Sequence, residues 1–165
     1  MDPQPSFIIH DRPVVRPDPA YIATVDLAPF GFYGQMEQIW LHPREGERYE
    51  VCCLPFRVYG LAMGDIVLLD ANARTVVSIA EFSGNRSLRI FIPYAVPAER
   101  FHAAREAVLF AVHDANLMSE WSGERHVAVN ISPKQSMAGI LEVIRDLDGV
   151  VAWEWSDVEE FRANI

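Results

Sequence analysis

A chain of 165 residues, half of them hydrophobic and 22% charged, has enough apolar material for a packed core and too little polarity for global disorder. Its net charge of −9 argues against a nucleic-acid binder, which needs a basic surface to neutralise phosphates. No apolar run reaches the roughly 18 residues of a membrane-spanning helix, and Met1-Asp2-Pro3-Gln4-Pro5 lacks the basic-then-apolar order of a secretory signal, so the expected location is cytoplasmic.

Residues 1–20 hold Pro3, Pro5, Pro13, Pro17 and Pro19. Proline fixes φ and removes a donor, so an extended arm is expected, laid on a surface through Phe7-Ile8-Ile9 and Val14-Val15. From 21 to 84 the signals are those of strands: Tyr21 to Leu27, Glu37 to His42 closed by Pro43, Arg48 to Leu54 across a polar turn, Asp65 to Leu69, and Arg74 to Phe82. Short strands at regular spacing without helical period predict a small β-barrel-like lobe or a strongly curled sheet. Cys52 and Cys53 are adjacent in a strand and point to opposite faces, so they read as two small packing residues without a disulfide.

Residues 85–157 alternate strands and helices. Ser87 to Ile92 is a strand, and Pro97 opens a helix with the stripe Phe101, Ala104, Val108, Leu109, Val112 and Ala115, stopped at Asn116. Leu117 to Trp121 and Arg125 to Ile131 form a hairpin. Val127, Val129 and Ile131 alternate with His126, Ala128 and Asn130. Ser132-Pro133-Lys134-Gln135 has the form of a capping box, followed by the stripe Met137, Ile140, Leu141, Ile144 and Leu147, with Gly149 as the stop. Val150 to Trp155 closes the unit. The order β-α-β-β-α-β predicts a ferredoxin-like lobe, a four-stranded antiparallel sheet with two helices on one face. The class is α+β, and residues 158–165 make an acidic tail.

At Pro55-Phe56, Tyr59-Gly60 and Gly64-Asp65 the chain resembles a bacterial family catalogued as a domain of unknown function, whose members carry a similar PF-x-x-YG-x-x-x-GD segment. The resemblance covers about Gln35 to Ser156. It implies a structural role for those six residues, a βαββαβ half downstream, and no catalytic residues to transfer. Some similar proteins look like toxin-neutralising partners in bacterial competition.

The chemistry-bearing motifs are missing: there is no P-loop, H-E-x-x-H, G-x-S-x-G or dinucleotide fingerprint. His102 and His113 stand roughly 16 Å apart along their helix, too far to share a metal. No metal and no cofactor are expected. From residue 136 onward seven acids (Glu142, Asp146, Asp148, Glu154, Asp157, Glu159, Glu160) face two bases (Arg145, Arg162), a local charge of −5. Trp153 and Trp155 share one face of the last strand, where they either join the two lobes or anchor a partner. The leading expectation is a non-catalytic protein-binding module. It is expected to act as an immunity protein that neutralises a basic toxin through Trp153, Glu154, Trp155, Asp157, Glu159 and Glu160. The alternatives are a small-molecule-binding regulatory domain and an enzyme using Cys53 or a histidine. The oligomeric state is left open.

Overall fold

The computed structural model describes residues 4–164; Pro3 of the arm and Ile165 of the tail lie outside the described residues. Strand β1 (Ser6–Ile8) comes from the arm. It is followed by β2 (Tyr21–Asp26), β3 (Gln35–Arg44), β4 (Arg48–Val51), β5 (Ile66–Leu69) and β6 (Val76–Glu81). These six form one sheet in the order β1-β3-β4-β5-β6, with β2 on the other side of β3. The arm is therefore docked by backbone hydrogen bonds, Ser6 to Ile8 pairing in parallel with Gln35 to Glu37.

The alternation of β3 builds the core of this sheet. Ile39 and Leu41 point inward and are fully buried with Val25, Val51, Val67 and Val76. Pro43 does not end the strand as expected. It pairs in register with Tyr49, and the ladder continues to Arg44 and Arg48. The sheet curls until Thr24 of β2 meets Thr75 just before β6 in a single bridge. Beyond that bridge the ladder stays unpaired, so the expected small barrel is an open, curled sheet.

The second sheet holds β7 (Arg86–Phe91), β8 (Ser119–Ser122), β9 (His126–Ile131) and β10 (Ala152–Trp155), with helices α1 (Ala98–Asp114) and α2 (Ala138–Asp146) between them. Its order is β10-β7-β9-β8 and every pair is antiparallel. Among the described residues the fold is thus α+β, with two sheets and two α-helices. Leu88, Ile90, Val127 and Val129 pack with Val108, Val112, Ile140 and Ile144 of the helices.

Both helix stripes are narrower than the sequence suggests. Leu109 and Leu141 are each 36% exposed, because only positions aimed at the sheet can be covered and those two lie at the stripe's edge. In α1 the buried place falls to Ala111 instead. Helix α2 starts at Ala138 rather than at Ser132. Gln135 does bond back to the Ser132 N–H through Oε1 (3.0 Å), but its own N–H returns to the Ser132 carbonyl (3.0 Å), which closes a turn in place of a first helical turn. Asn116 and Gly149 sit in the left-handed region, as the two helix stops require.

Strand β9 departs from simple alternation. Val127 through Ile131 are all buried, because its second face is not solvated. The segment Cys52–Val58 leaves β4 and crosses that face, where Leu54 and Phe56 pack on Ala128.

Candidate functional site

The residues that carry chemistry meet in three places: a sealed polar network between the two sheets, a cleft at the end of the first sheet, and a second cleft beside His126.

In the sealed network, the Glu37 side chain sits in the inward row of β3 with Ile39 and Leu41 and is fully buried. A bare carboxylate there would be costly. The backbone bends around it: Phe56, Arg57 (2.8 Å) and Val58 (3.1 Å) all donate their N–H groups to it. The Glu120 carboxylate of β8 likewise accepts the Leu54 N–H. Between the two glutamates lies His10 of the arm, bonded to Glu120 through Nδ1 (2.8 Å) and to Glu37 through Nε2 (3.1 Å). Its ring stacks on Phe56 at 4.3 Å and 6°. One side chain of the arm thereby ties β3 of the first sheet to β8 of the second.

Burial alone would make His10 less basic. Its hydrogen bonds to the Cys53 sulfur and to the two carboxylates override it and push the imidazole up to about 12. Burial would raise Glu37, but the hydrogen bond and charge of His10 outweigh that and hold it low. Arg89, 2% exposed, adds a second cation and donates to the Val58 carbonyl. With Glu154, which pairs with Arg89 at 3.4 Å, three carboxylates face two cations.

Cys53 touches this network. The enzyme alternative rests on Cys53 or a histidine, and His10 lies beside Cys53. The thiol is 0% exposed and burial pushes its pKa up. Burial thus favours its protonated form. Cys52 is buried too, its thiol pushed up to about 11 by burial and the Glu50 charge. Both thiols are free.

The motif residues divide between the network and the first cleft. Pro55 is buried, and Phe56 lies under His10. Tyr59 donates its hydroxyl to Glu154 (2.8 Å). Gly60 has φ +70, and a Cβ there would lie 2.2 Å from the Phe161 nitrogen, so a side chain is excluded where the C-terminal segment crosses. Gly64 turns the chain with φ +85. Asp65 is 2% exposed and braces that turn, accepting from the Ala62 N–H (2.9 Å) and the Ser83 N–H (2.7 Å), while burial raises its pKa.

The C-terminal residues form a strap, not a free tail. The Gly60 N–H donates to the Ser156 carbonyl (2.8 Å), Phe161 packs against the core of the first sheet, and Asn164 donates to Asp26 (2.7 Å). Asp157 is paired with Arg86 (2.7 Å) and Glu159 with Arg162. Glu160 is exposed and has no side-chain partner among the described residues.

The two tryptophans face the helix side of the second sheet, in register with Ile90 and Leu88. Trp155 packs against that core with Arg86 at 3.9 Å over its ring. Trp153 is 48% exposed. Neither fills the space between the sheets, because the intervening Glu154 takes that face and meets Tyr59 and Arg89.

The first cleft, of about 800 Å3, brings motif and strap together. Gly60, Leu61 and Asp65 form one part of its wall, Val77 and Ile79 of β6 another, and Asp157, Glu159, Glu160 and Phe161 the third. Phe82 stands at it 76% exposed. The second cleft, of about 650 Å3, is lined by Arg57, Phe91, Tyr94, Arg125 and His126 among others. Among the described residues no cluster of His, Cys, Asp and Glu is arranged to hold a metal ion, and no helix is long and apolar enough to cross a membrane.

His10, Glu37 and Glu120 escape a motif search. A signal for Glu37 is its phase, a carboxylate in the same alternating row as Ile39 and Leu41. His10, in an arm without periodicity, carries no such signal.

Comparison with known proteins bears on the fold and the family. No curated protein matches the chain. A solved structure, that of a hypothetical protein from Neisseria gonorrhoeae, is similar in fold with a TM-score of 0.59 over 74% of this chain and 84% of that one, at 16% identity. A family described as a domain of unknown function, DUF4265, matches residues 37–155, a span that begins at the buried Glu37 and ends at Trp155. The chain belongs to the DUF4265 family.

Proposed function

We propose that the chain is a non-catalytic protein-binding module that receives an extended, basic segment of a partner in the cleft between β6 and the C-terminal strap. The observation that carries this reading is the edge of β6. β6 pairs with β5 on one side and with no strand on the other among the described residues, and the free edge borders the 800 Å3 cleft. An unpaired edge offers a row of N–H and C=O groups that an added strand satisfies. Asp157, Glu159 and Glu160 along the opposite wall favour basic side chains on that strand, and the exposed Phe82 supplies an apolar anchor. Because Asp157 and Glu159 are paired internally, Glu160 and the overall charge of −9 supply the attraction. A basic toxin neutralised by its immunity protein is the partner class that fits. We read the second sheet and its helices as a ferredoxin-like unit that braces the cleft through Tyr59 and Glu154. A reducing, cytoplasmic setting suits the two free buried thiols.

The test uses the 15N-labelled protein and an extended hexapeptide of alternating lysine and valine. Saturable shifts at the amides of Val77–Glu81 and Asp157–Glu160 are expected, weakened by salt, by Phe82→Ser and by Glu160→Gln. Shifts that are absent, or that fall elsewhere on the molecule, overturn the reading.

A further inference from the structure

The second cleft has the opposite electrostatics to the first. In a chain with 23 acidic and 14 basic residues, arginines are expected to find carboxylates. Two that line this cleft do not. Arg57 donates Nη1 to the Gln35 side-chain oxygen (2.6 Å) and lies 5.3 Å over Phe32. Arg125 donates to the carbonyl oxygens of Pro93 (2.9 Å) and Ile92 (3.3 Å) and lies over Tyr94 and Phe101. Neither is in an ion pair among the described residues. The one carboxylate lining the cleft is the exposed Glu124.

A neighbouring recess shares two of its residues and holds a third cation, Arg89, paired there with Glu154. Phe91 and His126 are the shared residues, and the recess measures about 150 Å3. Arg89 is 2% exposed and its Nε has no hydrogen-bond partner among the described residues. A buried, unsatisfied guanidinium donor is rare enough to call for a ligand or an ordered water. The remaining wall is aromatic, with Phe91 half-buried and Tyr94 80% exposed. A volume of about 650 Å3 lies within the range of small-molecule sites.

We propose that this cleft binds a small organic anion, with a carboxylate or phosphate head held by Arg57 and Arg125 and a flat apolar body laid against Phe91 and Tyr94. Guanidinium groups recognise planar oxyanions through paired, charge-assisted N–H donors, and aromatic walls supply area for a flat ring. His126 reports the unbalanced field. Burial first, then the positive charges of Arg89 and Arg57, push its pKa down to about 4, against a smaller opposing pull from Glu37. An anion in the cleft would cancel part of that positive field. The site is separate from the β6 cleft, and its test can fail without touching the peptide reading.

Calorimetry on the full chain would compare benzoate and phenyl phosphate with benzamide, the neutral analogue of benzoate. Saturable binding of at least one of the two anions, and none of benzamide, is expected. In parallel, NMR titration of the His126 ring should show its pKa rising by about one unit or more when the anion is bound. Arg57→Gln leaves the backbone bond to Glu37 in place and should weaken binding about tenfold or more, while the variant keeps its cooperative unfolding. Equal binding of benzoate and benzamide, no saturable binding of either anion, an unmoved His126 titration, or an affinity unchanged in Arg57→Gln each overturns the proposal. The anion that binds identifies the head group.

Discussion

The two faces of the second sheet are built on different physical terms. The helix-covered face is mainly apolar, Leu88, Ile90, Val127 and Val129 packing on Ile140 and Ile144, and its strength grows with area removed from water. The opposite face carries Arg89, Glu120, His126, Asn130 and Glu154, covered by Cys52–Val58 and the arm. Its strength depends on each polar group finding a partner. The first face tolerates small errors in proportion to the volume lost. The second fails steeply once one partner is gone, because the remaining charge is left buried.

The largest effect is expected from His10→Ala. It leaves the Glu37 and Glu120 carboxylates buried side by side without their shared cation, and a loss of about 3–5 kcal/mol is expected in denaturant unfolding. A loss under about 1 kcal/mol would mean that the backbone donors alone satisfy both carboxylates. On the apolar face, Ile144→Ala should cost about 2–5 kcal/mol through the cavity it opens. Leu141→Ala, 36% exposed on the same helix, should cost about 1 kcal/mol or less. Equal costs at the two positions would show that the helix is rotated from the orientation described.

The polar face should also respond to pH where the apolar face does not. His10 is more basic when folded, so its contribution is complete below about pH 6.5 and is lost progressively as pH rises toward 12. Glu37 is more acidic when folded, so its contribution is present above about pH 4.5 and lost on acidification. His126 is held neutral, with a folded pKa of about 4, and the unfolded chain takes up its proton first as pH falls below 6.5, which removes stability there. Stability should therefore peak near pH 6.5, measured by denaturant midpoints across the range. His10→Gln should flatten the alkaline limb and His126→Phe the acid limb between about 6.5 and 4. Ile144→Ala should lower the whole curve without reshaping it. A smaller, local effect is expected at Gly60→Ala, where the strap must move away from the new Cβ. Faster proteolysis after Ser156, with the second sheet still protected, is the measurement.

The apolar face was readable because period carries its information: alternation marks a strand and a 3.6-residue stripe a helix wherever burial is the only requirement. The strands from Tyr21 to Phe82, the order from Arg86 to Trp155, and the stops at Asn116 and Gly149 follow from it. The motif residues Gly60, Gly64 and Asp65 were legible as turn-formers for the same local reason. Tertiary structure alone decided the rest. Whether the first sheet closes depends on where β6 meets β2, a contact between Thr24 and Thr75. Which face the tryptophans take depends on register with Leu88 and Ile90. His10, Glu37 and Glu120 are spread over 110 positions, and their meaning as a network comes only from the fold that brings them within hydrogen-bond reach, since a charge's environment, unlike a helix's period, is made by residues far away in the chain.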